Sequence, residues 1–307
     1  MPPPLDQVSS VCPEIGLNRR VITRIRQPHF PGAGRWSVTR RMNESAFLEL
    51  AERMARSGEV PAEHQAYFNL HRTRLTATLA FFGLWSLKGQ HVLEIGPFYS
   101  YTPFLFRELG NEVSVLEGTD PVVSPLLPLY RREGIACRQD NLLRLFALAE
   151  NNAGGLPYAE ASFDAVVCWE TMEHFNFNPV VFVRELHRVL RPGGCAFITV
   201  PNQAKLDNRI QLALGRSVRT PMPDYFRFAD YNCGEFLGFH WREYLLSELA
   251  ALFAGCGFKV EVAAHLNSFQ VQEKTSVARQ LKRALGACAV ALFPSMAANC
   301  ALVARKP

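Results

Sequence analysis

The spacing of apolar residues along the chain changes near residue 90. Before it the pattern is helical. Asn43 or Ser45 can cap a helix running to about residue 56. A second helix is expected over 62–87, where YFNLHRTRLTATLAFFGLW is apolar on one face. After residue 90 short strand-like runs take over: HVLEIG, EVSVLEG, IACRQD, FDAVVCWE and CAFITVPN. Helical segments separate them. TPFLFRELG starts near Pro103 and is stopped by Gly110, SPLLPLYRREG follows, and residues 141–155 hold a helical piece and an NNAGG loop. NPVVFVRELHRVL is amphipathic and ends in the turn RPGG.

Strand and helix alternating in this way predict an α/β fold, a mostly parallel sheet with helices on both faces. Ligands of such sheets bind beyond the carboxyl ends of the strands, where the strand order reverses. The residues just after each strand therefore matter most. Glu94 and Gly96 follow the first, Glu117 the second, and Asp140 with Asn141 the third. An acid at position 117 can accept both hydroxyls of a ribose, and one at 140 the amino group of an adenine. Any one of them alone would read as a solvated loop residue. An acid ending each of three successive strands predicts a nucleoside site. No lysine-bearing phosphate loop is present, so the nucleoside need not carry phosphates.

Composition narrows the picture modestly. A net charge of +5 on 307 residues, without a basic run or zinc-finger spacing, argues for no nucleic-acid partner. The eight cysteines form no Cys-x-x-Cys pair, which predicts reduced thiols in a cytoplasmic protein rather than a disulfide scaffold. No metal-ligating set is read. Residues 1–60 are expected to be an extension, proline-rich and then arginine-rich, ahead of a domain at 61–307. The apolar run 75–87 is too short to cross a bilayer. The run 285–304 is long enough but is interrupted by Pro294, Ser295 and Asn299, and is read as a buried helix followed by a buried strand. EKTSVARQLKRALGACAVALF (273–293) reads as a surface helix, with interfacial membrane contact as the sharper alternative.

The blocks SFDAVVCWETMEH and RELHRVLRPGG, with GFHWREYLLSELAALFAGCGFKVEV after them, resemble class I S-adenosylmethionine-dependent methyltransferases, in particular those whose fourth strand runs into a Glu-His pair. The resemblance spans roughly 62–265 plus the last strand. It implies a Rossmann-like seven-stranded sheet whose last strand, NCALVARK, is antiparallel and pairs with FKVEVAAH. It implies S-adenosylmethionine as cofactor, with Glu94, Gly96 and Phe98 near its methionine part. Glu117 and Gly118 would hold the ribose, Asp140, Asn141 and Leu142 the adenine, and Glu170 would flank the methionine. Phe98 and Ser100 depart from the family's glycine loop. Methyl transfer to a hydroxyl is helped by a base. His174 is the first candidate and His240 the second.

Residues 203–243 interrupt the pattern. Within them DYFRFADYNCGEFLGFHWREY is dense in aromatics, as expected of a lid over an acceptor or of a satellite core beneath a long insertion. NRIQLALGRS and HWREY also look like bacterial methyltransferases acting on glycans or lipid-linked intermediates. The expected acceptor is therefore a small molecule, natural product or glycan, with lipid linkage and membrane association open. A different class is a catalytically silent subunit, in which Phe98 fills the cleft.

Overall fold

The computed structural model describes residues 44–118, 123, 125–146, 154–227, 239–267 and 277–307. A seven-stranded sheet runs in the order β3-β2-β1-β4-β5-β7-β6. Its strands are β1 (His91–Ile95), β2 (Glu112–Glu117), β3 (Ala136–Gln139), β4 (Phe163–Trp169), β5 (Leu190–Pro201), β6 (Lys259–Leu266) and β7 (Asn299–Arg305). The first five pair in parallel. Only β7 is antiparallel to its neighbours, pairing Ile198 with Leu302 on one side and Ala263 with Leu302 on the other. Strand order reverses between β1 and β4, so their carboxyl ends open the crevice where such sheets bind ligands.

Successive residues of the central strands go to opposite faces, because strand side chains alternate. Val92, Ala165 and Val167 join a core with α1 (Glu44–Arg56), α2 (Ala62–Phe82), α3 (Thr102–Glu108) and α4 (Leu126–Arg132). Leu93, Val166 and Cys168 join the opposite core with α6 (Pro179–Val189) and α9 (Leu246–Gly255). α6 begins at Pro179 because Asn178 Oδ1 accepts the Val180 amide at 3.0 Å. The short α5 (Leu142–Phe146) follows β3. Cys168, Cys195 and Cys300 are buried free thiols in strands.

Two expectations change. α1 falls within the expected extension 1–60, yet Phe47, Leu50, Ala51 and Met54 are part of the core, with Phe47 edge-on to Phe68 at 5.7 Å. Second, the apolar run 285–304 does split into helix and strand, but among its described helical side chains only Val290 is buried. α10 (Val277–Leu292) leaves Leu285 and Leu292 in solvent, and Phe293 beside it is exposed as well. α10 lies against α7 (Leu206–Ala213), where a Cβ on Gly286 would stand 3.6 Å from Leu206 Cδ2. α8 (Met222–Arg227) leads toward 228–238, which lies outside the described residues and includes three of the aromatics of the expected lid: Phe228, Tyr231 and Phe236.

Candidate active site

The loop after β1 turns sharply. Gly96 has φ +64°, and a Cβ there would lie 2.9 Å from the Thr171 side chain. That residue must be glycine both for the left-handed backbone and for the close approach of the loop after β4. Phe98 and Tyr101 also have positive φ, 50° and 58°. The ring of Phe98 packs edge-on against Tyr67 of α2 at 4.7 Å, so this side chain engages the covering helix.

Three carboxylates sit at the strand ends. Glu94 is buried. Its Oε1 accepts from Thr102 Oγ1 at 2.5 Å, whereas its Oε2 has no partner among the described residues. Glu117 is buried as well and accepts from Tyr130 at 3.2 Å. Burial raises both acids, to about 8. In Glu94 the Thr102 hydrogen bond opposes the rise and the charge of Glu117 adds to it. In Glu117 the bonds from Tyr130 and from the backbone at Phe98 and Gly118 oppose it. Asp140 follows β3. Its amide donates to the Glu117 carbonyl at 2.9 Å, which brings the second and third strand ends together. The Asn141 amide donates to Asp140 Oδ1 at 2.8 Å, and the partly buried Leu142 opens α5.

Glu170 has φ +49° and is held from two sides. Arg74 Nη1 of α2 lies 3.0 Å from its Oε2, and Asn299 Nδ2 donates to the same oxygen at 2.8 Å. Arg74 escaped the sequence reading. Tyr67, His71 and Arg74 stand four and three residues apart, on one face of α2. This face meets the site: Tyr67 hydrogen-bonds Arg74, and burial followed by the Arg74 charge lowers His71 to about 4.

His174 and His240 come together, their rings T-shaped at 5.0 Å. His174 Nδ1 lies 2.9 Å from the Phe239 carbonyl and therefore donates, leaving Nε2 with a lone pair. Burial and then the neighbouring His240 lower His174 to about 4. His240 Nδ1 lies 3.2 Å from Glu243 Oε1. Burial alone would raise Glu243, but hydrogen bonds from His240, Lys205 and Asn208 outweigh it and hold the acid at about 2. Phe239, Trp241 and Tyr225 cluster beside the histidines, with Tyr225 and Phe239 at 4.8 Å. These described aromatics form a satellite cluster next to the imidazole pair.

The unpartnered buried atoms test whether a nucleoside-bearing amino acid fits. Glu94 Oε2, Trp169 Nε1, Glu170 Oε1, Arg74 Nε and His71 Nδ1 all lack partners among the described residues and belong to the ends of β1 and β4 or to α2. Buried polar atoms normally have partners, so this donor and acceptor set suits a polar ligand.

Residues 106–198 match the family model of a methyltransferase domain. A Mycolicibacterium smegmatis protein named a probable S-adenosylmethionine-dependent methyltransferase is 31% identical over 173 residues, 56% of this chain and 53% of that one. Residues 106–198 are thus a methyltransferase domain, in a chain similar to S-adenosylmethionine-dependent methyltransferases. S-adenosylmethionine is the cofactor that goes with such a domain. A rat mitochondrial ubiquinone biosynthesis O-methyltransferase is 27% identical over 139 residues, 45% of this chain and 38% of that protein. The chain thus spans about half, or less, of the length of the curated relatives it matches. The methyltransferase fold is shared with a crystal structure of an S-adenosylmethionine-dependent methyltransferase from Mesorhizobium loti, at TM-score 0.50 and 14% identity, covering 77% of this chain and 97% of that one.

Proposed function

We propose that this domain transfers the methyl group of S-adenosylmethionine to a hydroxyl of an amphiphilic acceptor presented at a membrane surface. One observation carries the reading. A buried acid, Glu117, ends β2, and a partly buried imidazole with a free lone pair, His174, follows β4, the two strands that flank β1 at the ligand-binding end of the sheet. The sulfonium supplies an activated methyl, so the protein's work is to position the reactants, exclude water and handle the acceptor proton.

In this reading Glu117 accepts the ribose hydroxyls, with Gly118 beside it, and Asp140, Asn141 and Leu142 line the adenine side. Glu94, Gly96, Phe98 and Glu170 surround the methionine part. Phe98 contributes through its backbone. Arg74, paired with Glu170 through Nη1, offers its Nε, unpartnered among the described residues, as a donor to the methionine carboxylate. His174 and His240 activate the acceptor hydroxyl through their Nε2 lone pairs. The silent-subunit reading loses support because the Phe98 ring, its proposed plug, packs on Tyr67.

Surface chemistry supports the acceptor class. Leu212 and Leu214 at the end of α7 are 59% and 60% exposed, and Phe226 of α8 is 78% exposed. α10 beside α7 adds Leu285, Leu292 and Phe293. Arg209, Arg216 and Arg219 are exposed among them. Apolar side chains interleaved with arginines suit an anionic lipid interface. No helix among the described residues is long and apolar enough to cross a membrane. Tyr225 connects this face to Phe239, whose carbonyl holds His174.

Methyl-labelled S-adenosylmethionine incubated with the protein and a membrane extract tests the proposal. Label is expected in the organic-extractable fraction, and label confined to the aqueous small-molecule fraction would overturn the lipid-borne acceptor.

A further inference from the structure

Glu173, His174 and His240 each offer one ligand atom, and these atoms lie within 4.8 Å of one another. We propose that they bind a first-row divalent transition-metal ion beside the acceptor hydroxyl. This deepens the methyltransferase reading of the same site and rests on it: the Nε2 lone pairs then act on the hydroxyl through the ion rather than directly.

The geometry provides what such a site needs. Both imidazoles have their Nδ1 engaged, His174 with the Phe239 carbonyl and His240 with the Glu243 carboxylate. Each ring is thereby fixed in the tautomer that offers Nε2, the outer arrangement typical of metal-binding histidines. Glu173 is the third donor. It is 1% exposed, and its Oε2 has no hydrogen-bond partner among the described residues. The local cations are already committed. Arg74 pairs with Glu170 at 3.0 Å, and Lys205 with Glu243 at 2.9 Å. The nearest paired nitrogen of Glu173 is His174 Nε2 at 3.9 Å. An unpaired buried carboxylate is costly, and a bound cation relieves that cost.

The scaffold holds the two chain segments in register. The amides of Trp241 and Arg242 both donate to the Glu173 carbonyl, at 2.8 and 3.3 Å. His240, directly before them, is therefore fixed against the Glu173–His174 pair, although the two lie far apart in sequence. A four-coordinate ion would draw donors to roughly 3.4 Å from one another, given bonds of about 2.0–2.1 Å. The half-exposed His240 ring can close that gap by a small rotation. Two imidazoles and one carboxylate favour manganese, iron, cobalt or zinc over magnesium or calcium, which prefer oxygen donors. Three protein ligands leave positions for water or the acceptor oxygen. A hydroxyl bound there loses its proton to solvent more readily. Its oxygen then bonds the methyl carbon as the carbon–sulfur bond breaks, and that electron pair stays on sulfur.

Cobalt(II) titration followed by visible absorption tests the site, with S-adenosylhomocysteine calorimetry run in parallel on each variant. The wild-type chain is expected to bind one equivalent of cobalt, displaceable by zinc. His240→Ala, at a half-exposed position, and the isosteric Glu173→Gln should weaken cobalt binding about tenfold or more and leave S-adenosylhomocysteine affinity unchanged. Absence of binding, or equal cobalt affinity in wild type and both variants, would overturn the proposal. Cobalt binding lost in the variants while even wild type fails to bind S-adenosylhomocysteine would uphold the metal site and remove the methyltransferase reading instead.

Discussion

The imidazole of His174 donates from Nδ1 to the carbonyl oxygen of Phe239 at 2.9 Å. A carbonyl only accepts, so the tautomer is fixed and Nε2 keeps its lone pair. The contact joins the segment after β4 to the end of the 203–243 insertion, and in the proposed reading it sets the chemistry of the acceptor side.

Replacing His174 with Ala should leave S-adenosylhomocysteine affinity within about twofold and slow methyl transfer by about 10²–10⁴, the usual contribution of a positioned proton-handling group. Calorimetry and single-turnover rates measure the two effects separately. An unchanged rate would reduce His174 to packing.

Arg74→Ala removes the cation facing Glu170 and leaves a half-paired carboxylate in the core. Breaking a buried pair costs about 3–5 kcal/mol, so a marked fall in denaturation midpoint is expected. The double variant Arg74→Ala/Glu170→Gln should regain a large part of that loss, because the uncompensated charge is gone. A double variant no more stable than the single would show that the pair's charge is not what matters.

Gly96→Ala combines a positive φ with a Cβ 2.9 Å from Thr171. The left-handed backbone alone costs about 1–2 kcal/mol, and the clash adds to it. Thermal unfolding should fall, and cofactor binding should weaken as the loop is displaced. Unaltered stability would mean the loop relaxes without consequence.

The strand-end acids give a pH signature. Glu94 and Glu117 titrate at about 8 in the fold against an ordinary 4.5. Between those values the folded chain holds more protons than the unfolded one, so stability falls as pH rises. Their contribution is fully present below about 4.5 and is lost as pH passes about 8. The ligand-free melting temperature should decline across that window, and Glu117→Gln should flatten the decline. Because ribose hydroxyls donate to the ionised acid, cofactor binding should release protons near neutral pH and tighten toward pH 8. Calorimetry in buffers of different ionisation enthalpy reads that release.

Much of the fold was legible because it depends on local pattern. Strand runs such as FDAVVCW are buried on both faces and read as apolar blocks, and the helix at Pro179 began where its pattern does, whereas the helix expected over 62–87 stops at Phe82, capped by the left-handed Gly83. The acids at 94, 117 and 140 were found because strand ends can be located from periodicity. What stayed hidden was tertiary. Arg74 reads as a solvated helix charge until α2 is laid over the site. The carboxylate of Glu243 that orients His240 lies three residues away in sequence but acts only through the folded loop. The run 285–304 read as a buried helix and strand while 273–293 read as a surface helix, and only the fold decides for the surface, leaving Leu285 and Leu292 in solvent.

The most direct measurement is calorimetric titration of S-adenosylhomocysteine into the wild-type chain and Glu117→Ala. Saturable one-to-one binding is expected, weakened by about 1–3 kcal/mol in the variant through lost hydrogen bonds to the ribose. No heat of binding at millimolar ligand, or equal affinity in both proteins, would contradict a cofactor site at these strand ends.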